Sequence, residues 1–312
     1  MNINSTSQLI EYSKLAEWHK EFAAWLYDGS RSESTVLCYF FDLGVYARWF
    51  AEENEMEFSP DQLTAVDLRA FRTWSLTVQK CRPSTWNRRR VSLKAISKWA
   101  FDAEIVQVDV ARGLKEADEI EQPLHWLVEK EYRAYSRKLE QLVNSSHSTL
   151  GRRQAIRDKA MILLMLEAGL RESEVVGLKA EDITLGERSG KVRVFGKREK
   201  TRFVPLNTEL REALNCWIEL NKYADAKSPF FSSKQGEQIT AHGLQRRVGL
   251  IGVMCGFKVT PHMLRHTFAK RMLNSGTGLE KIASLLGHSD LNTTIRYTKP
   301  GWDELEQAVE KI

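Results

Sequence analysis

Six polar side chains in the C-terminal half of this 312-residue chain have the types needed to work on a phosphate ester. Arg171 lies in "AGLRESEVVGL", with Glu174 three residues on and hence on the same side of a helix. Lys197 stands at the tip of the charged stretch "GKVRVFGKREKTRFVPL". His262 and Arg265 are also three apart, in "TPHMLRHTFA", and share a face. His288 and Tyr297 are nine apart in "LLGHSDLNTTIRYT", with Thr293 and Thr294 between them. Arginine forks hold the nonbridging oxygens of a phosphodiester without a metal. A tyrosine hydroxyl attacks phosphorus to form a covalent phosphotyrosine, and a lysine or histidine protonates the leaving oxygen. Singly, each residue has a plainer reading. The tyrosine packs, the histidine follows a helix-stopping Gly, Arg171 pairs with Glu174, Arg265 is a surface cation and Lys197 is solvated. Their joint occurrence favours the chemistry.

Helices and one hairpin must position these groups. In the first third, Leu15, Trp18, Phe22, Trp25 and Leu26 form one apolar stripe, interrupted at Gly29 and Ser30. A second helix spans about Ser34 to Glu53, and a third starts with Ser59 as N-cap and Pro60 at its first position. Pro83 and Ser84 open a fourth, with Trp86, Leu93, Ile96 and Ala100 on one face. The result is a four-helix bundle over 1–112, without βαβ alternation. The acidic segment 113–125, ending near Pro123, reads as a linker. The second domain, 126–312, has helices over Trp126–Leu142, Ala155–Ala168 and Thr208–Asn221, and Gly190 to Leu206 changes to the period of a hairpin. Thr260 and Pro261 begin a helix stopped at Gly276, and Leu279–Leu286 form a short one stopped at Gly287. Only a short loop is expected between the hairpin region and His262. The fold class is therefore mainly α with a small β-sheet or hairpin.

Composition is consistent with this. The chain is 42% hydrophobic and 28% charged, enough for two ordinary cores. No apolar run approaches a membrane span, and the N-terminus has no signal core. The four scattered cysteines suit a reducing cytoplasm. The net charge of +5 is unevenly placed. Arg82 to Lys98 holds six basic residues and no acid, whereas Trp99 to Gln122 holds seven acids against Arg112 and Lys115. A basic helix followed by an acidic segment suggests a polyanion-facing surface and then a solvated connection.

In "AGLRESEVVGL", "VFGKREKTRFVPL", "HMLRHTFA" and "LLGHSDLNTTIRYT", taken in this order, the chain resembles the tyrosine recombinase (phage integrase) family. The resemblance covers the whole second domain, and the N-terminal bundle has the family's core DNA-binding, SAM-like layout. It implies that Tyr297 is the nucleophile, leaving a 3′-phosphotyrosine and a free 5′-hydroxyl. It implies that Arg171 and Arg265 clamp the phosphate and that His288 adds a hydrogen bond to it. Lys197 is then the general acid, with Lys200 the alternative on the same tip, and His262 assists proton transfer near the tyrosine. Glu174 orients the first arginine or His262. Such an enzyme uses neither metal, cofactor nor ATP, and exchanges strands at an inverted-repeat site in double-stranded DNA as a homotetramer in the cytoplasm, on the nucleoid. A two-domain Xer-like or transposon-borne type fits, because little precedes the first helix. The tail face of Trp302, Leu305, Ala308 and Val309 is expected to dock on a neighbouring protomer.

DNA contacts are expected from Arg82, Arg88, Arg89 and Lys94 on the basic helix and from Gln245, Arg246 and Arg247 in "AHGLQRRVG". The rivals are a topoisomerase-like strand relaxer (type IB) and a binding relative without catalysis. His262 and His266 also have the i, i+4 spacing of a zinc pair, but no HExxH glutamate accompanies them, and His266 reads as a packed helix residue.

Overall fold

A computed structural model describes residues 17–119, 124–196, 201–221, 225–233, 236–288, 290–301, 305–306 and 309–310. The backbone divides into two compact units, Met1–Glu121 and Gln122–Ile312.

The first unit contains helices α1 (Glu17–Asp28), α2 (Glu33–Asn54), α3 (Ala65–Thr73) and α4 (Pro83–Asp102). Burial of Val36, Tyr39, Leu43, Tyr46, Trp49 and Phe50 follows the three- and four-residue rhythm that makes α2 a core helix. Tyr46 is the hub, meeting Phe58 and Phe71 edge-on at 5.0 and 5.1 Å between ring centroids. Pro83 occupies the first turn of α4, where a missing N–H is harmless, and Trp86, Leu93, Ile96 and Ala100 face the core. The third helix begins later than its sequence suggests. Ser59 caps only a 3₁₀ turn, Pro60–Gln62, and extended Leu63 and Thr64 follow. Breaking there buries Leu63 and lets the Thr64 hydroxyl accept the Asp67 N–H at 3.0 Å, capping α3. Beyond Thr73 the helix widens into a π turn over Trp74–Val78.

The second unit is arranged around α6 (Thr149–Leu166), on which α5 (Glu129–Asn144), α8 (Thr208–Glu219), α9 (Ala241–Cys255) and α10 (Pro261–Asn274) pack. Every residue from Ala160 to Leu166 is buried, so this stretch is apolar all round, as a central helix must be. The helix starts six residues before the expected Ala155 because Ser148 caps it, accepting from Gly151 N–H at 3.0 Å. α5 starts at Glu129, not Trp126, with Glu131 reaching back to the Val128 N–H at 3.2 Å.

The expected hairpin is present as β2 (Gly190–Phe195) and β3 (Thr201–Pro205), in antiparallel register Val192↔Val204. β1 (Ile183–Leu185) adds a third strand to β2, giving sheet order β1-β2-β3. Three residues are too few to show a period in sequence; pairing with β2 defines this strand. The hairpin tip, with Lys197 and Lys200, lies outside the described residues.

The connection from the hairpin to His262 is not a short loop: beyond the expected helix α8 it holds a further helix, α9. Leu244, Val248 and Ile251 of α9 are buried at helical spacing, and intervening glycines and arginines obscure that pattern. α10 opens as expected behind Thr260, whose hydroxyl accepts the Met263 N–H at 3.3 Å. α11 (Leu279–Leu286) stops at Gly287, and α12 (Asn292–Ile295) leads into a 3₁₀ turn, Arg296–Thr298. Of the expected tail face, Leu305 and Val309 are exposed, while Trp302 and Ala308 lie outside the described residues. No described helix is long and apolar enough to cross a membrane.

Candidate active site

The chain reverses at Gly169 between α6 and α7 (Glu172–Val176), with φ +66°. A side chain is excluded there twice over. The left-handed backbone is costly for other residues, and a Cβ would lie 2.4 Å from Phe268 Cδ1 and 2.9 Å from Leu286 Cδ2. The reversal makes Arg171 the N-cap residue of α7. Glu174, at the third helical position, turns back to accept the Arg171 N–H at 2.8 Å.

Glu174 is then the shared counter-ion of three guanidiniums. It accepts from Arg171 Nη1 at 2.9 Å and from Arg202 Nη1 and Nη2 at 2.9 and 2.8 Å, and Arg265 Nη1 lies 3.9 Å away. Burial alone would raise its pKa. The hydrogen bonds from Arg202 and the Arg171 N–H, with the charges of both arginines, hold it below the ordinary carboxylate value. Arg265 is buried at 4% exposure, and its other partners are neutral. It donates to the carbonyl of Gly169, to the Leu286 carbonyl at 2.7 Å and to His288 Nε2 at 3.0 Å. Burial and the Arg171 charge lower its pKa to about 10, partly offset by Glu174, so it remains a cation at neutral pH. Three positive charges against one negative leave an excess directed at an anion, and the planar forks suit phosphate oxygens.

Arg202 also donates from Nε to the Leu285 carbonyl at 2.9 Å, so β3, α7 and the end of α11 meet at this one side chain. Gly287 leaves it room: a Cβ there would come within 2.8 Å of Arg202 Nη1. The left-handed turn at Gly287, φ +66°, then directs His288 back towards Arg265.

The geometry fixes the His288 tautomer. A guanidinium only donates, so Nε2 accepts from Arg265, and Nδ1–H donates to Thr294 Oγ1 at 2.8 Å. Burial and the charges of Arg265 and Arg171 lower the His288 pKa to about 4, keeping the ring neutral. Tyr297 is 2% exposed, and its ring lies parallel to that of His288 with centroids 6.5 Å apart. Its hydroxyl is 2.9 Å from His266 Nδ1. Burial raises the Tyr297 pKa against the opposing charges of Arg265, Arg296 and Arg171, so the phenol is protonated at neutral pH.

Of the residues singled out in sequence, Arg171, Glu174, Arg265, His288 and Tyr297 form one connected cluster. His262 is exposed near the start of α10, its ring centroid 6.3 Å from that of His266. Three further members lie within the quoted motifs but received no role there: Arg202, Thr294 and His266, the last read as a packed helix residue. Arg202 left one trace, since it shares the inward face of β3 with Val204, an odd place for an unpaired arginine.

The expected DNA contacts divide. Arg82, Gln245 and Arg246 are exposed, and Lys94 is half-buried. Arg88 is exposed but donates to Asp42 at 2.7 Å. Arg89 points inward, 6% exposed, bonded to Gln79 and 3.9 Å from the buried Asp42. Its position on the Trp86–Leu93 side of α4 commits it to the bundle interior, not to the surface. Arg247 is half-buried and donates to Asp158 at 2.6 Å.

Residues 133–301 match the phage integrase family. The tyrosine recombinase XerC of Stutzerimonas stutzeri is 40% identical over 158 residues, 50% of this chain and 52% of that protein, so the match spans about half the length of that relative. The tyrosine recombinase XerD of Ralstonia nicotianae is 32% identical over 283 residues, 88% of this chain and 86% of that protein. The fold resembles the crystal structure of the XerH site-specific recombinase bound to difH substrate in a pre-cleavage complex, with a TM-score of 0.67 and 23% identity over 88% of this chain and 78% of that one. With a family match over more than half its length and a relative aligned nearly end to end, the chain belongs to the phage integrase family and is a tyrosine recombinase of the Xer-like type.

Proposed function

We propose that this recombinase cleaves and rejoins double-stranded DNA through Tyr297. The observation that carries the reading is the excess of positive charge where Arg171, Arg202 and Arg265 share the single carboxylate of Glu174, next to a protonated tyrosine. Tyr297 Oη attacks the scissile phosphorus and forms a P–O bond as the P–O5′ bond breaks. The tyrosine proton passes to a base and the 5′-oxygen receives one from an acid, for which Lys197 is our choice. Attack by a 5′-hydroxyl reverses every step. One phosphodiester thus becomes another of similar energy, and no external energy source is required.

Arg171 and Arg265 stabilise the charge of the pentacoordinate phosphorane, a task for which preorganised donors contribute up to about 4 kcal/mol each. His288 stands beside the clamp and holds Arg265 in line. DNA binding draws on Arg82, Arg88 and Lys94 in one unit and on Gln245 and Arg246 in the other. The substrate is a pair of duplexes carrying short inverted repeats, exchanged by a homotetramer, in the setting of a mobile element or replicon.

The test uses nicked duplexes built from inverted repeats next to the gene. Wild-type protein is expected to form a covalent adduct stable in denaturing gels. Tyr297→Phe is expected to form none while keeping its DNA affinity. Adducts that persist in Tyr297→Phe would overturn the assignment.

A further inference from the structure

The nucleophile of this mechanism must lose a proton, and the side chain on its hydroxyl is His266, not His262. Tyr297 Oη and His266 Nδ1 are 2.9 Å apart, with ring centroids at 5.5 Å and a tilt of 57°. We infer that His266 is the catalytic base for Tyr297, and this rests on the reading of Tyr297 as the nucleophile. In the Nε2–H tautomer, Nδ1 accepts the hydroxyl proton. As the P–Oη bond forms, that proton transfers to Nδ1 and leaves an imidazolium. On rejoining, the imidazolium returns it to Oη as the phosphotyrosine bond breaks.

The surroundings keep His266 ready for this. It is half-buried on α10, with His262, Arg265 and Lys270 on the same helix. Arg296 and Tyr297 face it from the 3₁₀ turn, and His288 from the segment after α11. Burial first, then the charges of His262, Arg265, Arg296 and His288, lower its pKa to about 4. The free ring is therefore an unprotonated acceptor throughout the neutral range. Proton uptake becomes favourable once the tyrosyl oxygen bonds to phosphorus and a phosphate anion neutralises the neighbouring arginines. No sequence motif marks this role. The residue reads as a packed helix histidine, and only the return of the chain through α11 and α12 places a hydroxyl against it.

The test measures single-turnover adduct formation by wild type, His266→Asn and His266→Ala between pH 6 and pH 9. The substrates are a normal duplex and one with a 5′-bridging phosphorothiolate, whose thiolate leaves without an acid. Asn presents an acceptor oxygen where Nδ1 lies but cannot take the proton. Both variants are expected to be slower by about 100-fold or more at pH 7 on both substrates with unchanged DNA affinity, and His266→Asn, which keeps an acceptor on the Tyr297 hydroxyl, is expected to keep the wild-type melting temperature. Their rates should rise about tenfold per pH unit, because hydroxide must then supply the tyrosinate, whereas the wild-type rate stays flat.

Wild-type rates in His266→Asn would overturn the inference. So would slow variants that keep the flat profile, which mark packing only, or a faster His266→Ala, which marks a brake on the nucleophile. Absence of adduct with wild-type protein on both substrates overturns the underlying reading as well, whereas wild-type adduct with any of the three outcomes above overturns His266 alone.

Discussion

Glu174 holds Arg202 with both carboxylate oxygens, at 2.9 and 2.8 Å, while the same carboxylate accepts from Arg171. Arg202 is the second residue of β3, the strand that follows the hairpin tip in sequence. This pair therefore ties the strand behind Lys197 to the helix behind the first arginine.

Removing that charge leaves three guanidiniums without a counter-ion among the described residues. Glu174→Gln is expected to destabilise the second unit by about 3 kcal/mol, the usual cost of stripping one partner from a buried pair. Covalent adduct formation should fall by about 100-fold or more, as when a preorganised donor is lost. Thermal unfolding and single-turnover assays check both. An unchanged melting temperature would show that the carboxylate is dispensable.

Gly169→Ala tests the reversal that sets Arg171 at the start of α7. The left-handed backbone costs about 1–2 kcal/mol, and the clash with Phe268 and Leu286 adds about 1–3 kcal/mol of overpacking. Gly256→Ala is the matched control, because φ there is +87° but no atom lies within 4 Å of its Cβ. Denaturant unfolding should show Gly169→Ala losing clearly more than Gly256→Ala. Equal losses would mean that α10 and α11 move aside.

Stability should depend on pH through His266 and His288. Both have folded-state pKa values of about 4, below the ordinary 6.5, through burial and neighbouring arginines. Between these values the unfolded chain binds more protons. The stabilisation is thus fully present above pH 6.5 and is lost as pH falls towards 4. Glu174, held low, adds its own loss only below its ordinary 4.5. The melting temperature should therefore decline already between pH 6.5 and 4.5, and less so in His288→Asn. A flat profile across that window would contradict the neutral, buried rings.

Arg82 and Arg89 sit on the same basic stretch but should behave oppositely. Arg82→Ala is expected to weaken DNA binding and reduce its salt slope by about one, with stability unchanged. Arg89→Ala removes the inward cation beside Asp42 and should cost about 2–3 kcal/mol of stability before it affects affinity. Salt-titrated binding and thermal unfolding separate the two.

Local chemistry was legible in the residue order. Thr260 before Pro261, Gly287 after an apolar stripe, and the alternation of Val192 and Val194 each act within a few residues, so their caps, stop and strand could be read directly. Arg171 and Glu174 were legible in the same way, because a three-residue spacing on one helix is a local relation.

Other features depend on what distant segments bring. β1 exists only because β2 lies beside it, and the Ser59 helix start failed because burying Leu63 outweighed a good capping pattern. Arg89 reads as one more cation in a basic run, yet its position on the helix turns it towards Asp42. Arg202 and His266 meet their partners across 28 and 31 residues. The sequence by itself determined the helical class, the hairpin position and five of the polar side chains that cluster around Glu174 and Tyr297, because these follow from periodicity and residue type. The tertiary structure alone decided which arginines share Glu174 and which histidine touches Tyr297, because only packing settles the neighbours of a side chain.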